Sequence, residues 1–198
     1  MKKQNKISSI SKFVKLGLAS IITSSALYAG SYNVDPVHSN VGFKVKHMMI
    51  SNVKGEFDKF NGTFEYDEKT KTLKTFDGKI EVSSINTDNA KRDGHLKSEE
   101  LFNAAKFPTI EFKLINITAD KAFGSLTMKG VTKKVTLDFE NNGMVKDPWG
   151  NTRVGLALSG KINRKDYGIS WNQVLEVGGV AVGETVKLDI EVEGILAK

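Results

Sequence analysis

Near its C-terminus the chain reads Val186-Lys-Leu-Asp-Ile-Glu-Val192, with apolar and charged side chains in strict alternation. Successive side chains of a strand point to opposite faces, so this period of two predicts a strand with one dry and one wet face. The pattern recurs upstream. Val41, Phe43, Val45, His47 and Met49 share one face, against Asn40, Gly42, Lys44 and Lys46. Ile80, Val82 and Ser84 alternate with charged or polar neighbours, as do Ile110, Phe112 and Leu114. Val131, Val135, Leu137 and Phe139 form another such face, and so do Val154, Leu156, Leu158 and Ile162. One-sided strands of this kind belong to antiparallel sheets.

Turn signals punctuate the runs. Asn61-Gly62, Asp77-Gly78, Asn142-Gly143 and Gly178-Gly179 have hairpin or bulge chemistry, and Asp147-Pro-Trp-Gly150 reads as a loop between strands. The spacing predicts about eight or nine strands, as in a sandwich or a barrel. Closing the sheet on itself removes its exposed edges, and eight strands leave room for side chains or one small ligand. The inward candidates are bulky: Phe43, Met49, Phe57, Phe64, Phe112, Met128, Phe139 and Trp171. Alternation fixes which face is buried. It leaves open whether a ligand or the side chains themselves fill the interior.

One segment breaks the period. Within 88–106, Ser98 followed by Glu99 and Glu100 predicts a helix start, with Leu101, Phe102 and Ala105 facing inward and Pro108 ending the insert. A second short helix is expected around 87–91.

The 198 residues fit one domain, and 39% hydrophobic with 26% charged residues is a globular mixture. Zero cysteines exclude disulfides, thiolate metal sites and cysteine nucleophiles. The net charge of +6 suggests a nucleic-acid partner until it is located. Residues 1–29 hold five of the 29 Lys and Arg and no Asp or Glu, so 24 bases face 23 acids in the rest. A nearly neutral body argues against nucleic acid. Those first residues read as a secretory signal: a lysine-rich start, an apolar stretch over 13–22, then a cut after Ala29 or Ala26. The stretch is short for a bilayer span, which needs about 20 residues, and Lys15 interrupts it. The expected division is therefore a signal peptide over 1–29 and one exported domain over 30–198, an uncleaved anchor being the alternative.

Catalytic chemistry has little support. His38, His47 and His95 lack metal-ligand spacing, so no metal site is expected. Ser51-Asn-Val-Lys54 matches S-x-x-K without its companion motifs. Two clusters carry more. Arg92-Asp-Gly-His-Leu-Lys-Ser98 and Ile162-Asn-Arg-Lys-Asp-Tyr-Gly-Ile-Ser-Trp171 set charge beside large apolar residues. Such a rim suits an amphiphile, and it also suits an Arg–Asp pair that fixes a loop.

At these clusters the chain resembles the YceI-like family. Tyr32-x-Val-Asp-Pro-x-His-Ser39 is followed in order by Val41-x-Phe43 and His47, Val53-x-Gly-x-Phe57, and Phe60-x-Gly62. Arg92-Asp-x-His-Leu-x-Ser98, Phe102, Phe107-Pro-x-Ile110 and Phe112 come next. Leu126-Thr-Met-Lys-Gly-Val-Thr-Lys-Lys-Val135 and Asn163-Arg-x-Asp-x-Gly-Ile-x-Trp171 complete the series. The resemblance implies an all-β fold: an extended antiparallel eight-stranded lipocalin-like barrel with a short helical insert. It implies an apolar tunnel for a polyisoprenoid, an isoprenoid quinone or a fatty-acid derivative, periplasmic or secreted location, frequent homodimers, and no metal or catalytic centre. On that basis Phe43, Val45, Phe57, Phe112, Leu126, Met128, Ile169 and Trp171 are expected to touch the tail, with His47 and Leu96 beside them. Arg92, His95 and Arg164 are expected at the head-group end or in a structural network at the mouth. The rivals are a fatty-acid or fatty-amide stress protein, a barrel filled by its own side chains, and a lipid-modifying enzyme using His47 or Ser51.

Overall fold

The computed structural model describes residues 29–176 and 178–198. The export-signal reading of 1–29 lies, but for Ala29, outside the described residues. Ala29 already opens the first strand and pairs with Asp67.

The described residues form eleven strands: β1 Ala29–Val34, β2 Asn40–His47, β3 Ser51–Phe57, β4 Phe60–Asp67, β5 Thr72–Glu81, β6 Ile85–Asn86, β7 Thr109–Ile117, β8 Lys121–Met128, β9 Val131–Lys146, β10 Thr152–Asn163 and β11 Val182–Leu196. All named pairings are antiparallel. The hydrogen-bonded ring runs β1-β4-β5-β7-β8-β9-β10-β11 and returns to β1, which makes a closed eight-stranded barrel. β2, β3 and β6 extend its wall at one end. They arise because three long runs are interrupted. β11 pairs with β2 through Val182–Glu191 and with β1 through Gly194–Leu196, and only Asp58-Lys59 separates β3 from β4.

The alternation holds along most strands, but two turn signals do not make turns. Asn61-Gly62 and Asp77-Gly78 lie inside β4 and β5, where Gly62 faces Gly78 across the ladder. Asn142-Gly143 forms a bulge: Gly155 pairs with Gly143 and Leu156 with Asn141, while Gly143 takes φ +95°. Met49 is not inward. β2 ends at His47, and Met49 stands exposed in the turn that follows. Val82–Ser84 leaves the strand as a 3-10 turn.

The insert is also corrected. Its helix, α1, spans Ala90–Lys97, and Ser98 caps its C-terminus rather than opening a helix. The Asn89 side chain accepts the Arg92 N–H at 2.9 Å, a better-placed cap than Ser98. Asp93 accepts from the Thr87 N–H (3.0 Å) and hydroxyl (2.5 Å) and ties the first turn back to the chain before it. After Ser98 the chain continues as turns, with Asn103 at φ +50°. Leu101 is buried and Phe102 packs on the core, as the sequence implies, whereas Ala105 is exposed and Ala104 packs there instead.

The two halves of the barrel are filled differently. At one end Tyr32, Phe64, Tyr66, Leu73, Phe76, Val154, Leu156 and Val192 form a solid plug. The Tyr32 and Phe64 rings stack at 5.2 Å and Tyr66 meets Tyr32 edge-on at 6.2 Å. The other end, beneath the insert, is lined rather than filled.

Candidate functional site

That second half encloses a cavity of about 420 Å3, within the range of small-molecule sites. Its walls come from alternate residues of nearly every strand. β2 supplies Phe43, Val45 and His47; β3 supplies Phe57; β7 supplies Phe112; β8 supplies Leu126 and Met128. α1 contributes Arg92, His95 and Leu96, and the segment after β10 contributes Arg164, Ile169 and Trp171. All thirteen residues singled out from the sequence therefore face one space. Much of the wall lies beyond these thirteen residues. Val186, Leu188, Ile190 and Val192 of β11 and Ile80 of β5 also line it. Their alternation was visible as a strand face, and only the closure of the barrel shows that this face borders the cavity. Thr87 gave no signal in its spacing at all.

On this side of the barrel a ring is laid over a glycine and packed against its neighbours. The Phe43 ring crosses its cross-strand partner Gly55, where any Cβ would collide with it. Phe43 then meets Phe57 at 5.7 Å, and Phe57 meets Phe102 edge-on at 6.3 Å. The rings are thus held against the wall.

The polar groups gather beneath the insert. Arg164 is buried and donates from Nε to Gly183 O at 2.9 Å, from Nη1 to Ile169 O at 2.7 Å, and from Nη2 to Val182 O. Burial lowers its pKa from the usual guanidinium value, and Glu184 opposes that shift. No ion pair joins Arg164 to Asp166 among the described residues; Arg164 fixes the loop through carbonyls instead. Arg92 donates from Nε to Thr87 Oγ1 at 2.7 Å and from Nη2 to Thr87 O at 2.6 Å. His95 lies 2.9 Å from Glu100 Oε2 and edge-on to the Trp171 indole at 4.8 Å. His47 pairs across the sheet with Val182, whose carbonyl Arg164 also contacts. The charged side chains gathered here are Arg92 and Arg164, with His47 and His95, while Lys46 and Lys79 border the space from outward-alternating positions; among the described residues no Asp or Glu lines it. A wall that is apolar along its length and carries only donors and cations among its charged groups suits a hydrocarbon chain ending in an acceptor-rich or anionic head.

Two other arrangements are less apt for chemistry. Ser51 and Lys54 occupy positions of opposite parity on β3, so they project to opposite faces and cannot act as a pair. Asp35, His38 and Glu193 lie close enough to share a cation. The Arg153 guanidinium already sits among these acids, bonded to Asp35 Oδ2 at 2.9 Å, Asp147 Oδ2 at 2.7 Å, and Glu193. His38 binds Asp35 at 2.9 Å. This knot is structural: it ties the turns after β1 and β9 to β11.

The YceI-like domain model matches residues 32–194. A UPF0312 protein of Staphylococcus aureus is 42% identical over 164 residues, 82% of this chain and 96% of its own length. The crystal structure of the Campylobacter jejuni YCEI protein superposes with a TM-score of 0.67 at 34% identity, covering 83% of this chain and 96% of that one. A domain from Saccharophagus degradans, described as polyisoprenoid binding, shares the fold at TM-score 0.64 and 14% identity, covering 84% and 98%.

Proposed function

The chain belongs to the YceI-like family, and from that premise we propose that it is an exported binding protein that carries or sequesters a single-chain amphiphile in the barrel. The observation behind this reading is the half-hollow barrel, with an apolar cavity of about 420 Å3 beside a solid aromatic plug. An isoprenoid lipid or quinone fits the wall. Its tail lies along Phe43, Val45, Phe57, Phe112, Leu126 and Met128, and its head sits near Arg92, His95 and Arg164. Each Å2 of tail removed from water gains roughly 25 cal/mol, and Met and Phe conform to a flexible chain. The name of the Saccharophagus degradans domain supports the isoprenoid choice. Arg92 and Arg164 on the wall favour a second reading, a fatty acid, whose head is itself an anion.

Binding rather than turnover is the role proposed, and the lysine-rich, apolar start of the chain supports export to the periplasm or medium. No described helix is long and apolar enough to cross a membrane. The homodimer implied by the resemblance is part of the proposal and is read by light scattering. The ligand is tested by organic extraction of the natively purified protein followed by mass spectrometry. A stoichiometric lipid is expected, and Val45→Trp, which fills the wall from within, is expected to lose it while keeping the strand circular dichroism. Repeated clean extracts, or equal lipid in Val45→Trp, would overturn the reading.

A further inference from the structure

We infer that the end of the barrel at the cavity's polar edge docks on an anionic lipid bilayer. Met48, Met49 and Ile50 form the tip of the β2–β3 hairpin, and Ile50 is 84% exposed. The β10–β11 connection lies against this tip. Met48 N–H donates to Ala181 O at 2.8 Å, a Cβ on Gly179 would touch Met49, and Val174 in the same loop is 79% exposed. Together they make one projecting apolar patch, and Glu176 is the one acid among residues 48–50 and 172–181. It is continuous with the cavity, because His47, Met48, Gln173 and Ala181 all line it.

The backbone of the tip is unusual. Met48 and Met49 take φ +46° and +63°, in the left-handed region that Gly and Asn ordinarily fill. Two long apolar side chains there are poorly explained by turn chemistry and well explained by what they project into.

A row of charge identifies the partner. On the outer face of four adjacent strands, Lys161 pairs with Lys187, Lys187 with Lys44, and Lys44 with Lys54. Like charges directly opposite one another destabilise a sheet. The ion-paired lysines of the described residues are Lys74, Lys79, Lys113, Lys121 and Lys165, and none belongs to this row. Lys46 lies between the row and the tip, while Asp189 and Glu56 stand in the next row away from it. The body is almost neutral overall, so this is segregation of charge, not excess. An apolar tip backed by a collar of unpaired lysines is the arrangement that inserts into an interface and meets anionic headgroups.

The inference deepens the lipid-carrier reading and rests on it for its purpose: a chain leaving the bilayer would enter the cavity without crossing water. The docking itself is measured separately. The protein is sedimented with vesicles of phosphatidylcholine containing phosphatidylglycerol, and with phosphatidylcholine alone. Comparison is made among wild type, Met49→Asp with Ile50→Asp, and Lys44→Gln with Lys54→Gln. All are purified after export with the same N-terminus, so differences report the tip and the collar. Binding is expected only with phosphatidylglycerol, weakened about tenfold or more by either pair of substitutions and by raised salt. Equal binding by wild type and both variants, no binding by wild type, or a salt-independent association overturns the inference. Lipid extracted from each variant separates the two readings. Lipid-loaded protein that ignores vesicles defeats docking alone, and vesicle binding by a protein that never yields lipid defeats the carrier alone.

Discussion

The Phe76 and Phe112 rings meet with centroids 6.0 Å apart, and this contact is the boundary between the filled and hollow halves of the barrel. Phe76 belongs to the plug and borders the cavity from that side, and Phe112 touches all three apolar clusters and lines the cavity. Phe112→Ala should therefore do two things. It should lower the free energy of unfolding by about 3 kcal/mol, read from the urea midpoint. It should also deepen the cavity toward the plug, so that extracted lipids shift to longer chains. A shift in stability with an unchanged chain-length distribution would place the floor of the cavity elsewhere.

Two glycines give opposite expectations for one substitution. At Gly194 a Cβ would run into Phe64 Cε1 and Cζ, in the tightest part of the plug. Gly194→Ala should cost about 1–3 kcal/mol through overpacking, seen in thermal melts. At Gly94, within α1, a Cβ meets nothing within 4 Å. Gly94→Ala should instead stabilise by about 0.5–1 kcal/mol, because it removes the conformational freedom of glycine from a helix interior.

The period of two in β10 and β11 was enough to predict which residues turn inward, because sheet geometry allows no other assignment. It could not predict the plug. Phe64 and Phe43 carry the same inward signal and each ring lies over a glycine, Gly194 and Gly55, yet Phe64 also stacks on its cross-strand neighbour Tyr32 and meets Phe76, while space remains beside Phe43. Which rings meet depends on which residues sit opposite, and that is a matter of register. The turn chemistry of Asn61-Gly62 misled for the same reason, since facing glycines in mid-ladder carry the same dipeptide as a hairpin. The insert was displaced because Ser98 and Asn89 are both good caps locally. Only the contacts of Asp93 with Thr87 decide between them. Arg92, His95 and Arg164 were found through charge beside large apolar residues, but their partners, mainly carbonyls and Thr87, have no pattern in sequence.

Arg164 offers a test of structure against recognition. Its guanidinium serves the Gly183, Ile169 and Val182 carbonyls from within the wall. Arg164→Met leaves these acceptors without their donor and should destabilise by about 3 kcal/mol. Arg164→Lys keeps the charge but not the fork, and should recover only part of that loss. If Arg164 also meets the ligand head, the lysine variant should retain lipid better than the methionine variant when both are assayed well below their melting temperatures. Identical retention would confine Arg164 to the scaffold.

Ionisation should limit the fold from both sides of neutrality. The Arg153 guanidinium holds the Asp147 carboxyl well below the usual carboxylate range, and the His38 hydrogen bond, helped by Arg153, lowers that of Asp35. A depressed folded pKa means stability that is complete above the unfolded value near 4 and is lost as pH falls through the folded one. Acid unfolding should therefore begin below about pH 4, and Arg153→Met should move its onset upward. Tyrosines act in the opposite direction. Burial, with Asp166 adding to it, pushes the Tyr167 phenol up to about 12, and burial with the Glu68 hydrogen bond raises Tyr32 further. A raised folded pKa favours the neutral phenol, so its contribution is complete below the unfolded value near 10 and is lost as pH rises through the folded one. Circular dichroism should stay flat to about pH 10 and then fall together with the appearance of phenolate absorbance. Phenolate developing fully near pH 10 with the strands intact would show that Tyr32 and Tyr167 are reached by water, and would remove the solid plug from the account of this barrel.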